Sequence, residues 1–116
     1  MGWIEDRGGR VLMVCQKSGQ RLWTLPGGKI ERMETVESGL RREVLEEVAG
    51  VAEIVSLVAM FDRSEKANVT FLYRAMLPPD AELKPAPREI SSIEWRNSLP
   101  DNCTPSLGYF WRMMRG

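Results

Sequence analysis

A chain of 116 residues, 43% hydrophobic and 28% charged, is long enough to bury a core of its own. Its 16 basic and 16 acidic residues cancel, so bulk charge favours neither a nucleic acid nor a membrane surface as partner. The absence of histidine excludes histidine bases, histidine nucleophiles and histidine-ligated zinc, and Cys15 and Cys103 lack metal-ligand spacing.

No apolar run approaches the ~20 residues of a membrane helix and no leader pattern opens the chain. The expectation is one cytoplasmic globular domain over residues 1–116. Trp3-Ile4 is short strand material, Asp6 to Gly9 a turn, and Arg10 to Gln16 an apolar strand in which Cys15 reads as a small core residue. So brief a first strand leaves an exposed edge that pairing in a homodimer would cover. After a turn at Lys17 to Gln20, Arg21 to Leu25 is again extended, and Pro26-Gly27-Gly28 ends it.

Thr35 is the expected N-cap of the first helix; with Ser38 where Glu or Gln completes a capping box, no full box is expected. Leu40, Val44 and Val48, with Leu45 beside them, mark the core face, and Gly50 is the expected stop. Glu43, Glu46 and Glu47 project together on the side away from that face, and Gly39 falls on the same arc. A glycine inside a helix costs about 1 kcal/mol, which makes sense where a neighbouring segment needs room. Val51 to Phe61 and Val69 to Leu77 form a hairpin around a polar turn at 62–68, and Pro78-Pro79 breaks it. Glu89 to Trp95 is the last strand. Thr104 caps a final helix with Pro105 at its first position, and Leu107, Phe110, Trp111 and Met114 form one apolar stripe that packs on the sheet. Strands, helix, strands, helix predict an α/β (α+β) fold with a mixed central sheet.

Clustered glutamates on a helix are ordinarily a solvated face, here offset by Arg41 and Arg42. The surroundings change that reading: a glycine turn, a further acid at Glu34 and Arg42-Glu43 recur at fixed offsets, so the acids belong to a constellation. Hard oxygen donors of this kind suit Mg²⁺ or Mn²⁺ shared with a phosphate. The pattern Gly28-x5-Glu34-x7-Arg42-Glu43-Val44-x-Glu46-Glu47, led in by Trp23 to Lys29, resembles the signature box of the Nudix (MutT-like) hydrolases. Two positions depart from it: Ala49 stands where the family has glycine, which predicts a slightly longer helix end, and Met33 stands where many members have glycine.

The resemblance implies an α/β/α sandwich and a divalent-metal-dependent pyrophosphohydrolase, acting on a nucleoside diphosphate linked to another group X. It assigns the metal to Glu43, Glu46 and Glu47, with Glu47 the direct ligand and Glu43 a ligand or a base, and it adds a carbonyl from Gly27 or Gly28. Arg42 is implied to pair with Glu34 or a neighbouring glutamate and hold the helix against the loop. Lys29 is a candidate phosphate contact, and Glu89, ahead of the last strand, a candidate further ligand or base, better placed than Glu94. The downstream motifs of the ADP-ribose, diadenosine polyphosphate and coenzyme A enzymes are not evident. Compact size resembles the members that clean nucleoside triphosphates, with Asn102 at the place of their base-reading asparagine and Phe61, Phe71 and Tyr73 as candidates for stacking on a base. An ADP-ribose or nucleotide-sugar pyrophosphatase, a non-catalytic nucleotide sensor, and a structural domain with a merely acidic helix are the alternatives.

Overall fold

The strands Gly2–Ile4 and Val11–Gln16 bury apolar side chains on both faces, and in the structure, a computed structural model describing residues 1–63 and 68–116, each face carries a helix. Among the described residues the elements are β1 (Gly2–Ile4), β2 (Val11–Gln16), β3 (Trp23–Thr24), α1 (Val36–Val48), β4 (Glu53–Arg63), β5 (Asn68–Met76), β6 (Ile90–Arg96) and α2 (Pro105–Arg115). β1 runs parallel to β5, and β5 antiparallel to β4, which makes a mixed sheet of order β1-β5-β4. A second, antiparallel sheet has the order β3-β2-β6.

Successive side chains in a strand point to opposite faces, and this splits the core in two. Ile4, Leu12, Val14 and Ala75 meet Leu40, Val44 and Val48 of α1. Their neighbours Trp3, Val11, Met13 and Leu72 meet Leu107 and Phe110 of α2. Burying each large apolar side chain contributes roughly 1.5–3 kcal/mol, so both helices are anchored by the same few strands. The predicted stripe of α2 is there, with Trp111 and Met114 packed at its margin.

Several expectations change. β1 is no exposed edge: Gly2, Trp3 and Ile4 are buried, β5 pairs with one side, and the Gly2 amide donates to the Pro26 carbonyl on the other (2.8 Å). The stated reason for a homodimer therefore falls away. α1 does have a reciprocal capping box, because the Ser38 hydroxyl accepts from the Thr35 amide (3.2 Å) while Thr35 Oγ1 accepts from the Ser38 amide (3.1 Å). A serine hydroxyl reaches back as well as a longer carboxylate would. Leu45 is about half exposed, since one residue past Val44 turns the side chain about 100° off the core line. The middle of the turn expected at 62–68 lies outside the described residues; the strands that lead to it have the expected lengths but lie nearer to it, ending at Arg63 and starting again at Asn68.

Candidate active site

The three glutamates of α1 are graded in burial. Glu46 is exposed, Glu43 largely covered, and Glu47 only 7% exposed. The expectation that all three point away from the core fails for Glu47, because seven residues from Leu40 are nearly two full turns and return Glu47 to the margin of the buried stripe. There its Oε1 accepts the Gly27 amide at 3.0 Å. Burial pushes the Glu47 carboxyl up to about 8; the Gly27 hydrogen bond pulls it down, and the charges of Glu43 and Glu89 push it further up. The cation coupled to it, the Met1 ammonium, is itself pushed down to about 6 by burial, and among the described residues no ion pair holds the Glu47 carboxyl.

Arg42 organises the rest. Its Nε and Nη2 donate to the two oxygens of Glu34 (2.8 and 3.1 Å), Nη1 donates to Glu43 (2.9 Å) and Glu46 (3.1 Å), and Nη2 also donates to the Lys29 carbonyl (3.1 Å). All five guanidinium N–H groups are thus engaged, and one side chain ties the loop before α1 to two acids on α1. The fork to Glu34 holds that carboxyl below its usual range, helped by the Glu31 amide, which donates to Glu34 Oε1 at 2.8 Å.

The glycines supply clearance. A Cβ on Gly28 would lie 2.6 Å from Cδ of Glu43, so any side chain there displaces the carboxylate. At Gly39 it would meet Ile30 Cδ1 at 2.9 Å and Glu34 Oε1 at 3.2 Å; the loop packs on the helix through these two side chains.

Glu89 arrives from a strap laid over the C-terminal end of α1. The amides of Lys84 and Ala86 donate to the carbonyls of Val48 and Glu47 (2.9 and 3.0 Å), taking up groups that a helix end leaves open. The Lys17 amide donates to the Glu89 carbonyl at 2.9 Å, and Lys17 Nζ donates to the Pro87 carbonyl. Glu94 instead pairs with Arg96 at 3.0 Å on β6.

A cavity of about 670 Å³ opens beside Gly27, Gly28 and Lys29, with Gln16, Thr24, Thr70, Phe71 and Thr104 among its walls. Lys29 and Phe71 are placed there; Asn102 and Phe61 are not. Phe61 lies across from Thr70 on the face turned to α2, where it stacks on Tyr109 (centroids 4.7 Å apart) and packs with Phe110. The Asn102 side chain donates to the Arg21 carbonyl (3.4 Å), and its own carbonyl accepts the Trp23 amide (2.9 Å), so Asn102 anchors β3. Tyr73 packs against the α1-side core. Gln16, Thr24 and Thr104 escaped the sequence reading because they belong to separate elements that only the fold brings together.

Among the described residues, no three Asp, Glu or Cys side chains are grouped closely enough to hold a metal ion by themselves. The donor chemistry nonetheless suits one: the oxygens are hard, and Glu47 is buried next to Glu43 and Gly28 with no ion pair among the described residues. Mg²⁺ typically takes one or two carboxylates and completes its shell with water and substrate phosphate.

Comparison with known proteins decides the family. The profile of the NUDIX domain matches residues 1–98. The chain belongs to the NUDIX family. A MutT-like protein of Streptomyces ambofaciens is 28% identical over 94 residues, which cover 81% of this chain and 59% of that relative. An RNA pyrophosphohydrolase of Teredinibacter turnerae is 40% identical over 57 residues, or 49% of this chain and 33% of the relative. The chain thus spans less than two thirds of either relative. The crystal structure of a MutT NUDIX hydrolase from Burkholderia pseudomallei superposes with a TM-score of 0.78 at 26% identity, covering 94% of this chain and 95% of that one.

Both departures from the Nudix box fall where the backbone is left-handed. Ala49, the C-cap of α1, has φ 59°, and Met33 has φ 73° in the turn closed by the Glu34 amide on the Glu31 carbonyl. The expected longer helix end is not found: α1 stops at Val48, and Ala49, not Gly50, takes the left-handed stop. Gly50 instead packs closely on Leu77, whose Cδ2 would lie 2.8 Å from a Cβ there and would have to move aside. An L-residue pays about 1–2 kcal/mol for this conformation, partly offset by the extra freedom of glycine in the unfolded chain. Ala49→Gly is expected to stabilise the protein by about 0.5–1 kcal/mol, read as a higher urea midpoint at unchanged slope. An unchanged or lower midpoint would show that the left-handed cap carries no strain.

Proposed function

We propose that this NUDIX protein is a divalent-metal-dependent pyrophosphohydrolase that cleaves a nucleoside diphosphate linked to a group X, with a nucleoside triphosphate or related small nucleotide as the foremost substrate. The observation that carries this reading is Glu47, buried against the Gly27 amide, charge-coupled to Glu43 and Glu89, and held by no ion pair among the described residues. Mg²⁺ or Mn²⁺ bound there supplies Lewis acidity and neutralises the pyrophosphate. Glu47 and Glu43 hold the ion with the Gly28 carbonyl, Glu46 extends the set, and Arg42 keeps Glu43 and Glu46 in register with the loop. With no histidine in the chain, the proton of the attacking water goes to a carboxylate, and Glu43 and Glu89, both charge-coupled to Glu47, are the candidates. Lys29, at the cavity mouth beside the acids, contacts a phosphate, and the neutral walls of the cavity take the nucleoside. Residues 1–116 act as one unit, because α2 shares its core with β1, β2 and β5.

The test is a panel of nucleoside triphosphates, ADP-ribose, a nucleotide sugar, a dinucleoside polyphosphate and a short 5′-triphosphorylated RNA, each with Mg²⁺. Released phosphate and pyrophosphate are measured and the substrates ranked by kcat/KM. Metal-dependent turnover of at least one, lost in Glu47→Gln, is the expected result; binding without turnover would make the chain a sensor.

A further inference from the structure

Two concavities flank the acid cluster, and they differ in charge. The larger has neutral walls apart from Lys29 and the Met1 amino group. The smaller, a groove of about 340 Å³, is lined by Glu46, Ala86, Pro87, Arg88 and Glu89. The acids lie between them: Gly27 and Gly28 of the larger touch Glu47 and Glu43, and Arg42 joins Glu43 to Glu46 on the wall of the smaller.

Arg88 stands on the strap over α1, and that strap is pinned on both sides. Before it, the Lys84 and Ala86 amides hold the end of α1; after it, the Glu89 carbonyl accepts the Lys17 amide and the Ile90 amide donates to the Ala86 carbonyl (2.9 Å). Among the described residues the Arg88 guanidinium forms no ion pair, although Glu46 and Glu89 line the same groove. A fixed backbone thus presents an uncommitted, always-charged fork next to acids that a divalent ion neutralises. A planar fork of this kind matches phosphate oxygens two at a time.

We propose that the groove is the site of the leaving phosphate group and that Arg88 binds it, so that the substrate lies across α1 with its nucleoside in the large cavity and its distal phosphates against the strap. This rests on the hydrolase reading above. For a triphosphate, one water adds across the α–β anhydride: its oxygen joins one phosphorus, the bridging P–O bond breaks, and the water protons pass to the products and solvent. Nucleoside monophosphate is left in the cavity and pyrophosphate in the groove.

Calorimetric titration of the full chain with inorganic pyrophosphate in Mg²⁺ tests the assignment. Arg88→Ala should weaken binding by ~10-fold or more, Arg88→Lys by less, and Gln16→Ala, in the other cavity, not at all. Arg88 is exposed on the strap, so its variants should melt like the wild type and a folding defect is separable. Pyrophosphate bound equally by wild type and Arg88→Ala, no binding to the wild type, or equal loss in Gln16→Ala would each overturn the proposal. Its failure is distinguishable from failure of the hydrolase reading. Turnover with an indifferent Arg88 sinks only the groove, whereas Arg88-dependent pyrophosphate binding with no turnover of any nucleotide sinks only the hydrolase.

Discussion

Glu47→Gln is expected to make the metal-free protein more stable and, at the same time, inactive. The carboxyl has an ordinary value of 4.5 and is pushed up to about 8 in the folded chain. Below 4.5 it is protonated in both states and costs nothing. Between about 4.5 and about 8 the unfolded chain ionises while the folded one keeps its proton, so stability falls as pH rises. Above about 8 the full penalty is present, on the order of a few kcal/mol for a group this buried. Glutamine keeps the shape and the acceptor for Gly27 without the charge, so in EDTA near pH 8 the variant should melt several degrees higher. Turnover should drop by ~10³-fold or more, as when one member of a catalytic set is lost. Mg²⁺ should raise the wild-type melting temperature more at pH 8 than at pH 5, and the variant's hardly at all. A variant that is less stable in EDTA, or that retains wild-type turnover, would refute the reading of Glu47 as an uncompensated ligand.

Arg42→Ala is expected to cut kcat/KM by about 10–100-fold, the usual cost of losing a residue that orients metal ligands. Five bonds from one guanidinium cannot be replaced by a lysine, whose three donors form a point charge, so Arg42→Lys should recover little. Both variants should melt lower without metal, because Glu34, Glu43 and Glu46 then repel one another, and Mg²⁺ should restore part of the loss. The Glu34 carboxyl, held below its usual range chiefly by Arg42, adds a pH signature. The pair stabilises fully above the ordinary carboxylate range and loses its contribution as pH falls through the lowered value, so wild type and variant should converge in acid. A lysine variant with full activity and an unchanged melting curve would reduce Arg42 to a surface residue.

The two corrected substrate positions show where a linear reading stops. Phe61 and Asn102 are chemically suited to holding a base. Pairing of Phe61 with Thr70 turns it to the α2 core, and the Asn102 backbone and side chain serve β3. Register shifts between Ile54 and Ser56 and between Leu57 and Ala59 add to this, because each inserts a residue and resets which side chains face α1. Leu57 consequently sits opposite Tyr73 and more than half exposed, a placement that alternation along β4 alone does not predict.

By itself the sequence determined the elements, the N-caps Thr35 and Thr104 and the Nudix box, since each depends on residues close along the chain and on the fixed period of a helix or strand, and the resemblance carried by that box implied the tethering role of Arg42. Only the tertiary structure decided that Glu47 is buried, that Ala49 and Met33 bear left-handed backbone, that one cavity draws on β2, β3, α1, β5 and the cap of α2, and that a strap carries Glu89 and Arg88 over the end of α1. Those features arise from contacts between segments far apart in the chain. Desolvation, which pushes the Glu47 carboxyl up, exists only once such segments have met.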